Sequence, residues 1–476
     1  MSNSEQPAGK MWSGRFREPL DRDFEQWQRS FPFDWVLIEA EISASIAHAR
    51  TIEAAGVLTA NEAERMCAGL RAISKLDVSA RSIHDPAAVF AASAAAAEDV
   101  HHFVELELTR EIGDLALKLH AGRSRNEQIA TDMRLFVREA IDGAVNGLRE
   151  WVKALIELAE SAGEAVMPSY THLQRAEPVL VAHWLLAYVA MIERDISRLT
   201  DARKRMNLCP LGSGAVAGAT LKLDRTIAAR ELGFDGPTPN SMDATSDRDF
   251  LLEFTQIAAT IGLHASRFAE EITLFSTAEF GFVELPEAFS TGSSAMPQKK
   301  NPDFTELVRG KSARLVGAAT ALATLMKGLP LAYNKDLQEG QEQVFDAADT
   351  VTGMLKLLPH FTRALKFRYD RMREAATTGY LNAMAAATYL SNKGVPFRKA
   401  HEIVGNAVRL GLESGRELND LKLEELRGLS DAFGEDFFAA ITLEATLDCH
   451  DVAGGTARTR VAEALAAARQ RLGENK

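Results

Sequence analysis

The stretch MRLFVREAIDGAVNGLREWVKALIELA, Met133 to Ala159, decides the fold class. Its apolar positions run Phe136, Val137, Ala140, Ile141, Ala144, Val145, Leu148, Trp151, Val152, Leu155, Ile156 and Ala159, an i, i+3, i+4 spacing that persists for about eight turns without a proline. At ~1.5 Å per residue such a helix is roughly 40 Å or longer. A stripe of that length is buried most simply against helices of similar length, so the stretch predicts a bundle.

Working outward, Pro178 stands where a second helix would have its first turn, and Val179, Leu180, Trp184, Leu185, Leu186, Val189 and Ile192 then cover nearly every face. An all-round apolar helix needs cover on all sides, which predicts a homo-oligomeric helical core. Further helices are expected from about Phe250 to Ser276, Thr305 to Met326 and Glu339 to Leu357, separated by Gly/Pro/Ser/Asn segments. Strand signals are few, and neither βα alternation nor a repeat period is present. The fold class is therefore all-α: an elongated subunit in three parts, with a helical domain over 1–121, a central long-helix bundle over 122–367 and a small helical domain over 368–476.

Composition narrows the function. Apolar residues make up 46% and charged residues 25%, as in ordinary globular proteins. Fifty-four Lys and Arg against 66 Asp and Glu leave a net charge of −12, which disfavours nucleic acid and anionic membrane as partners. Cys67, Cys209 and Cys449 form no short metal-ligand pattern and read as reduced thiols of a cytoplasm. The opening MSNSEQPAGK has no apolar run, and Val179 to Ile192 is interrupted by His183 and too short to span a bilayer, so neither export nor a membrane span is expected.

Four segments carry chemistry. In KLHAGRSRNEQIATD, Lys118 to Asp132, the residues Gly122, Ser124, Arg125 and Asn126 precede a long helix, and a helix N-terminus is an anion site; the plain alternative is a cap with solvated arginines. MPSYTHLQRAEP, Met167 to Pro178, carries Thr171, His172 and Gln174, a histidine able to move a proton beside a hydroxyl able to hold a carboxylate; a lone histidine is more often structural. STGSSAMPQKKNPDFTE, Ser290 to Glu306, is polar, cationic and broken by Gly292, Pro297 and Pro302, as suits a loop that closes on an anion with Ser293, Lys299 and Asn301. YNKDLQEGQE, Tyr333 to Glu342, opens a helix with donors and acceptors suited to a polar substrate tail. Two motifs are decoys. GSGAVAG, Gly212 to Gly218, has no strand before it and no Walker lysine after it, and the adjacent His101 and His102 point apart on a helix.

Taken together these segments resemble the argininosuccinate lyases of the fumarase/aspartase superfamily. The resemblance runs from MWSGRF at Met11 through EDVHHFVE at Glu98, GRSRN, YTHLQRAEP, PLGSGAVAG, NSMDATSDRDF at Asn240, GSSAMPQKKNP and YNKDLQE to GYLNA at Gly379 and GVPFRKAHEIVG at Gly394. It implies β-elimination of argininosuccinate to arginine and fumarate in arginine biosynthesis, with neither metal nor organic cofactor. It also implies a cytoplasmic homotetramer whose active sites are each built from three subunits. By motif position Ser293 is the base and His172 the proton donor or its relay, oriented by Glu306; either Ser293 or His172 is chemically able to serve each transfer. Lys299 and Asn301 hold a carboxylate and stabilise the aci-carboxylate intermediate. Ser30, Asn126, Thr171, Tyr333 and Gln338 are substrate contacts, with His101 and Arg125 nearby. Gln341 stands where the family commonly has a substrate-binding lysine, so it keeps hydrogen bonding and loses the charge. A sister lyase such as adenylosuccinate lyase, or an inactive homologue like the lens crystallins, is the alternative; YNKDLQE argues against the first, and the intact Ser293, His172, Lys299 and Asn301 against the second.

Overall fold

The long apolar stripe forms the helix it predicts. In the computed structural model, which describes residues 18–473, the main helices are α1 (Ile38–Ala54), α2 (Ala60–Ile73), α3 (Val100–Ile112), α4 (Arg125–Ala162), α5 (Val181–Met206), α6 (Asp249–Phe275), α7 (Asp303–Met326), α8 (Glu339–Ala364) and α9 (Phe397–Ser414). The MWSGRF segment lies outside the described residues. Among those residues, strand is confined to three short antiparallel pairs: β1 (Val166–Thr171) with β2 (Gln174–Leu180), β3 (Val283–Glu284) with β6 (Lys366–Phe367), and β4 (Thr291–Gly292) with β5 (Lys300–Asn301).

The chain divides into two compact units. One takes in the residues up to Phe136, Met206–Asp249 and Leu325–Glu342; the other takes in Val137–Arg205, Phe250–Thr324 and Gln343 onward. In the first, α2 opens with a capping box in which Thr59 Oγ1 accepts the Glu62 N–H at 3.3 Å and Glu62 Oε2 accepts the Thr59 N–H at 2.9 Å. Ala44 and Ala47 of α1 bury against Cys209, Leu211, Ala228 and Phe234.

In the second unit four long helices meet on aromatic rings. Trp151 of α4 is fully buried, donates its indole N–H to Thr362 Oγ1 of α8 at 3.1 Å and meets Phe268 of α6 edge to face at 5.6 Å. Tyr188 of α5 meets the same Phe268 at 5.2 Å. Glycines set two of the approaches: a Cβ on Gly147 would lie 2.9 Å from Leu355 Cβ, and one on Gly262 would lie 2.8 Å from Leu315 Cδ1. A separate small core gathers Tyr389, Leu390, Val404, Phe433 and Phe437 around α9.

Three boundaries differ from the periodicity. α4 begins at Arg125, two turns before the apolar stripe, because its first turns bury the polar Glu127, Gln128, Thr131 and Asp132 along with Ile129 and Ala130. Pro178 is not in a helix: it pairs with Pro168 in the β1–β2 hairpin, where neither residue has an N–H to lose, and the helix starts at Val181. α8 continues through Pro359 to Ala364, since Leu355, Leu358 and Phe361 are buried on both sides of the proline and hold the last turn in place.

Gly147→Val is expected to lower stability by roughly 1–3 kcal/mol, the usual cost of overpacking a tight contact. An unchanged melting temperature in thermal denaturation would show that α4 and α8 do not approach this closely.

Candidate active site

In the first unit the start of α4 is built from short-range hydrogen bonds. Ser124 Oγ accepts the Asn126 N–H at 3.3 Å, and the fully buried Glu127 accepts the Ser124 N–H at 3.2 Å and the Gly214 N–H at 2.8 Å. The second of these bonds brings in the glycine run. Gly214 has φ +61°, and a Cβ there would lie 2.7 Å from the Gly218 carbonyl oxygen. Arg225 brackets the same loop, donating to the carbonyls of Leu211 at 2.8 Å and Thr238 at 2.9 Å. GSGAVAG is thus a structural turn tied to a helix cap.

With α4 seated, Arg125 and Asn126 face a cavity of about 220 Å³. Seven residues named from the sequence line it: Ser30, His101, Arg125, Asn126, Tyr333, Gln338 and Gln341. Ser30 is placed by its N–H on the Glu98 carbonyl at 2.9 Å, and Gln338 by donation to the Gln28 carbonyl at 3.1 Å. Asn126 Nδ2 donates to the Ala215 carbonyl at 3.1 Å. Gln341 is buried, and its Oε1 meets no donor among the described residues.

Sequence reading missed Asp34, Glu98, Asp99 and Lys335 in the same wall. The last three lie inside quoted motifs, EDVHHFVE and YNKDLQE, and Asp34 follows Ser30 by one helical turn. These groups mix signs at close range. Arg125 reaches Asp99 at 3.1 Å and Glu98 at 3.8 Å, and Lys335 lies 3.8 Å from Glu98. Burial works against the Asp99 carboxylate, yet Arg125 and His101 hold its pKa below the ordinary value. Asp34, buried and with Asp99 beside it, is pushed up to about 7. Burial also raises the Tyr333 hydroxyl, although Arg248 opposes it.

Behind the cavity wall lies a buried cluster. Glu41 receives the Ser45 hydroxyl at 2.6 Å, the Gln128 amide at 3.1 Å and His101 Nδ1 at 2.9 Å, with Arg123 at 3.9 Å. Asp132 lies 3.6 Å from His101 Nδ1. Glu41, His101 and Asp132 offer ligand atoms within 4.8 Å of one another, a spacing a metal ion could use. The Ser45 and Gln128 donors aimed at Glu41 occupy the lone pairs a cation would need, and Arg123 adds a like charge, so the set suits protons better than a metal. The second histidine of the pair, His102, accepts the Glu98 N–H through Nδ1 at 3.3 Å instead.

In the second unit the remaining candidates sit on two other elements. Thr171 ends β1, and His172 and Leu173 form the two-residue turn to Gln174 with φ +55° and +57°, both in the left-handed region. Thr171 and His172 are exposed. Ser293 follows β4, and its Oγ accepts the Ala295 N–H at 3.2 Å and the Met296 N–H at 3.0 Å. Asn301 Nδ2 donates to Thr291 Oγ1 at 3.2 Å across the β4–β5 pair. The two lysines of the loop differ: Lys300 is anchored on the Leu285 carbonyl, whereas Lys299 is exposed. Glu306 is exposed on the first turn of α7, 3.9 Å from Arg309. Among the described residues no hydrogen bond joins His172 to Ser293 or to Glu306 within one chain.

Comparison with known proteins follows the same pattern. A lyase family model matches residues 14–317, and an argininosuccinate lyase C-terminal model matches 380–448. The chain is 62% identical over 468 residues to the argininosuccinate lyase of Acidobacterium capsulatum, covering 98% of this chain and 95% of that one. It is 56% identical over 463 residues to the argininosuccinate lyase of Koribacter versatilis, covering 97% of each. Among solved structures it is similar to an EDDS lyase variant with bound fumarate, at a TM-score of 0.80 and 25% identity, covering 93% and 87% of the two chains. It shares its fold with the 3-carboxy-cis,cis-muconate lactonizing enzyme of Pseudomonas putida, at a TM-score of 0.74 and 20% identity, covering 92% and 96%.

The Asp34 environment has a pH signature. Because its folded pKa lies above the unfolded value, Asp34 adds stability at low pH, and that contribution is lost as pH rises toward about 7. Asp34→Asn is therefore expected to gain melting temperature relative to the unmodified protein between about pH 5 and about pH 8. A difference that stays flat with pH would mean that this carboxyl ionises freely.

Proposed function

The chain belongs to the argininosuccinate lyase family of the fumarase/aspartase superfamily, and from that membership we propose how its side chains divide the reaction. It is a carbon–nitrogen lyase that splits argininosuccinate into L-arginine and fumarate. A base removes a proton from the succinate carbon next to a carboxylate, and the electron pair rests on that carboxylate as an aci-carboxylate. The C–N bond to the guanidino nitrogen then breaks, the double bond of fumarate forms, and the nitrogen leaves with a proton.

Ser293 is the base in this reading, supported by the two N–H groups on its Oγ, which favour the alkoxide over the alcohol. Lys299 and Asn301 of the same loop receive the carboxylate on which charge develops. His172 stands on the donor side, oriented by Glu306, and Thr171 contacts substrate. The observation that carries the binding half is the single cavity lined by Ser30, His101, Arg125, Asn126, Tyr333, Gln338 and Gln341, which come from separate stretches of sequence. Its mixed charge suits an amino-acid zwitterion, with Arg125 and Asn126 toward a carboxylate and Glu98 and Asp99 toward an ammonium.

The assembly in this reading is a homotetramer in which each active site draws on three subunits, and no partner beyond the small-molecule substrate is needed. The exposure of His172 and Lys299 in a single chain supports it, because both need a substrate-enclosing neighbour to act. The three-part division at 121 and 367 stands as a proposal too, supported at its C-terminal end by the separate core around α9 and the family match over 380–448. A cytoplasmic place in arginine biosynthesis is consistent with three free cysteines and with the finding that no described helix is long and apolar enough to cross a membrane.

Fumarate release from argininosuccinate, followed by ultraviolet absorbance, tests the assignment. Ser293→Ala is expected to lower kcat by roughly 10²–10⁴-fold with the helical content intact; a near-normal rate would remove the serine from the mechanism. Gln341→Lys is expected to change the KM for argininosuccinate by about fivefold, equivalent to about 1 kcal/mol, with kcat nearly unchanged. A change in thermal stability alone would take Gln341 out of the substrate site.

A further inference from the structure

Two carboxyl groups, Glu41 and Asp132, lie side by side with no solvent: they are 1% and 0% exposed. Burying two like charges together is among the costliest arrangements a protein can hold, so one of the pair keeps its proton. The donors decide which. Glu41 collects Ser45, Gln128 and His101 at hydrogen-bond distance, and Arg123 reinforces it by donating to Ser45 Oγ at 2.8 Å. Both oxygens of Asp132 lack a donor altogether. The negative charge therefore rests on Glu41 and the proton on Asp132.

His101 links this cluster to the substrate cavity. Its Nδ1 is engaged by Glu41, its ring lines the cavity, and no described residue hydrogen-bonds its Nε2. We infer that Glu41 is a positioning residue for the lyase reaction: it holds His101 as an imidazolium whose Nε2–H is presented to a carboxylate of the substrate, while Asp132 stays neutral. This rests on the assignment of the cavity to argininosuccinate. A carboxylate behind an imidazole sets both its orientation and its tautomer, and at full burial it also holds the charge.

Charged and titratable groups face His101 from every element packed against it. Glu41 faces it from α1 and Asp132 from α4; Asp99 and Glu105 lie at the start of α3 and along it; His120, Arg123 and Arg125 lie at and before the start of α4; Asp34 lies beside Ser30. Burial pulls the His101 pKa down, but the Glu41 charge and hydrogen bond, with Asp99, outweigh burial and Arg125 and leave it raised. Asp132 is raised well above the ordinary carboxyl value, first by burial and then by Glu41.

The test is the pH profile of kcat/KM for fumarate release by the full-length enzyme. Glu41→Gln removes the charge behind His101 and is expected to move the alkaline limb down by about one pH unit or more, with about a tenfold loss of kcat/KM above it, mostly through KM. Asp132→Asn replaces a neutral acid by a neutral amide of the same shape and is expected to leave that limb where it stands. A structural role alone would affect the two variants alike. If Glu41→Gln keeps the original limb, or if Asp132→Asn moves it as far, the inference is wrong. Should Glu41→Gln fail to fold, Glu41→Asp carries the test: it keeps the charge on a shorter arm, so the limb is expected to stay while KM rises, and an unaltered KM would overturn the positioning role. An unmodified enzyme inactive on argininosuccinate would instead overturn the substrate assignment, a result distinct from both.

Discussion

Much of the substrate cavity hangs on one buried carboxylate. Glu127 accepts the Ser124 N–H that starts α4 and the Gly214 N–H of a loop almost ninety residues further along the chain. Burial raises the pKa of this carboxyl, and the backbone donors Gly214 and Ser124 oppose that shift. Hydrogen bonds to a charged group contribute roughly 1.5–3 kcal/mol each, so the pair is strong enough to set where the helix begins. Moving that start by one residue would turn Arg125, Asn126, Gln128 and Asp132 by about 100° around the helix axis, out of the cavity wall and the cluster behind it.

That dependence explains what was legible in the sequence. The long helices followed from apolar periodicity, since the bundle buries one stripe of each helix against rings such as Trp151 and Phe268. The first two turns of α4 did not, because Glu127, Gln128, Thr131 and Asp132 are buried there beside Ile129 and Ala130, and the polar majority breaks the hydrophobic pattern. The β1–β2 hairpin was hidden for a related reason. Its turn is His172–Leu173 rather than the Asn-Gly or Asp-Gly that marks such turns, and a proline on each strand read as a helix start or a loop. Arg125, Asn126 and the run from Tyr333 to Gln341 were legible as polar segments opening helices, Ser30 and the substrate role of His101 only through the family resemblance; Asp34, without a motif of its own, was found by the fold.

The same turn shows where local preference gives way to placement. Left-handed backbone costs a non-glycine residue roughly 1–2 kcal/mol, and β1–β2 holds two in succession. Strain of this kind persists where surrounding structure over-determines it: here by the strand register on both sides, by Arg175 donating to Thr378 Oγ1 at 3.1 Å, and by the Leu180 N–H on Thr456 at 2.9 Å. The consequence is an imidazole carried at the tip of a short rigid hairpin rather than on a pliable loop. In the proposed role of His172 as proton donor or relay, such a placement would set its distance to the substrate before the substrate arrives.

An acidic chain with a net charge of −12 nevertheless builds a site for a substrate rich in carboxylates. The total is a poor guide because the charges that matter are sequestered in pairs. Arg125 is held by Asp99 and His101 by Glu41, and burial together with Glu41 raises Asp132 well above the ordinary carboxyl value. Away from water such pairs keep their orientation, and a dipole already oriented need not reorganise when charge develops on the substrate. A raised Asp132 beside Glu41 spares the cluster a second buried charge, while the cavity wall keeps both signs, with Arg125 and Lys335 set against Glu98 and Asp99.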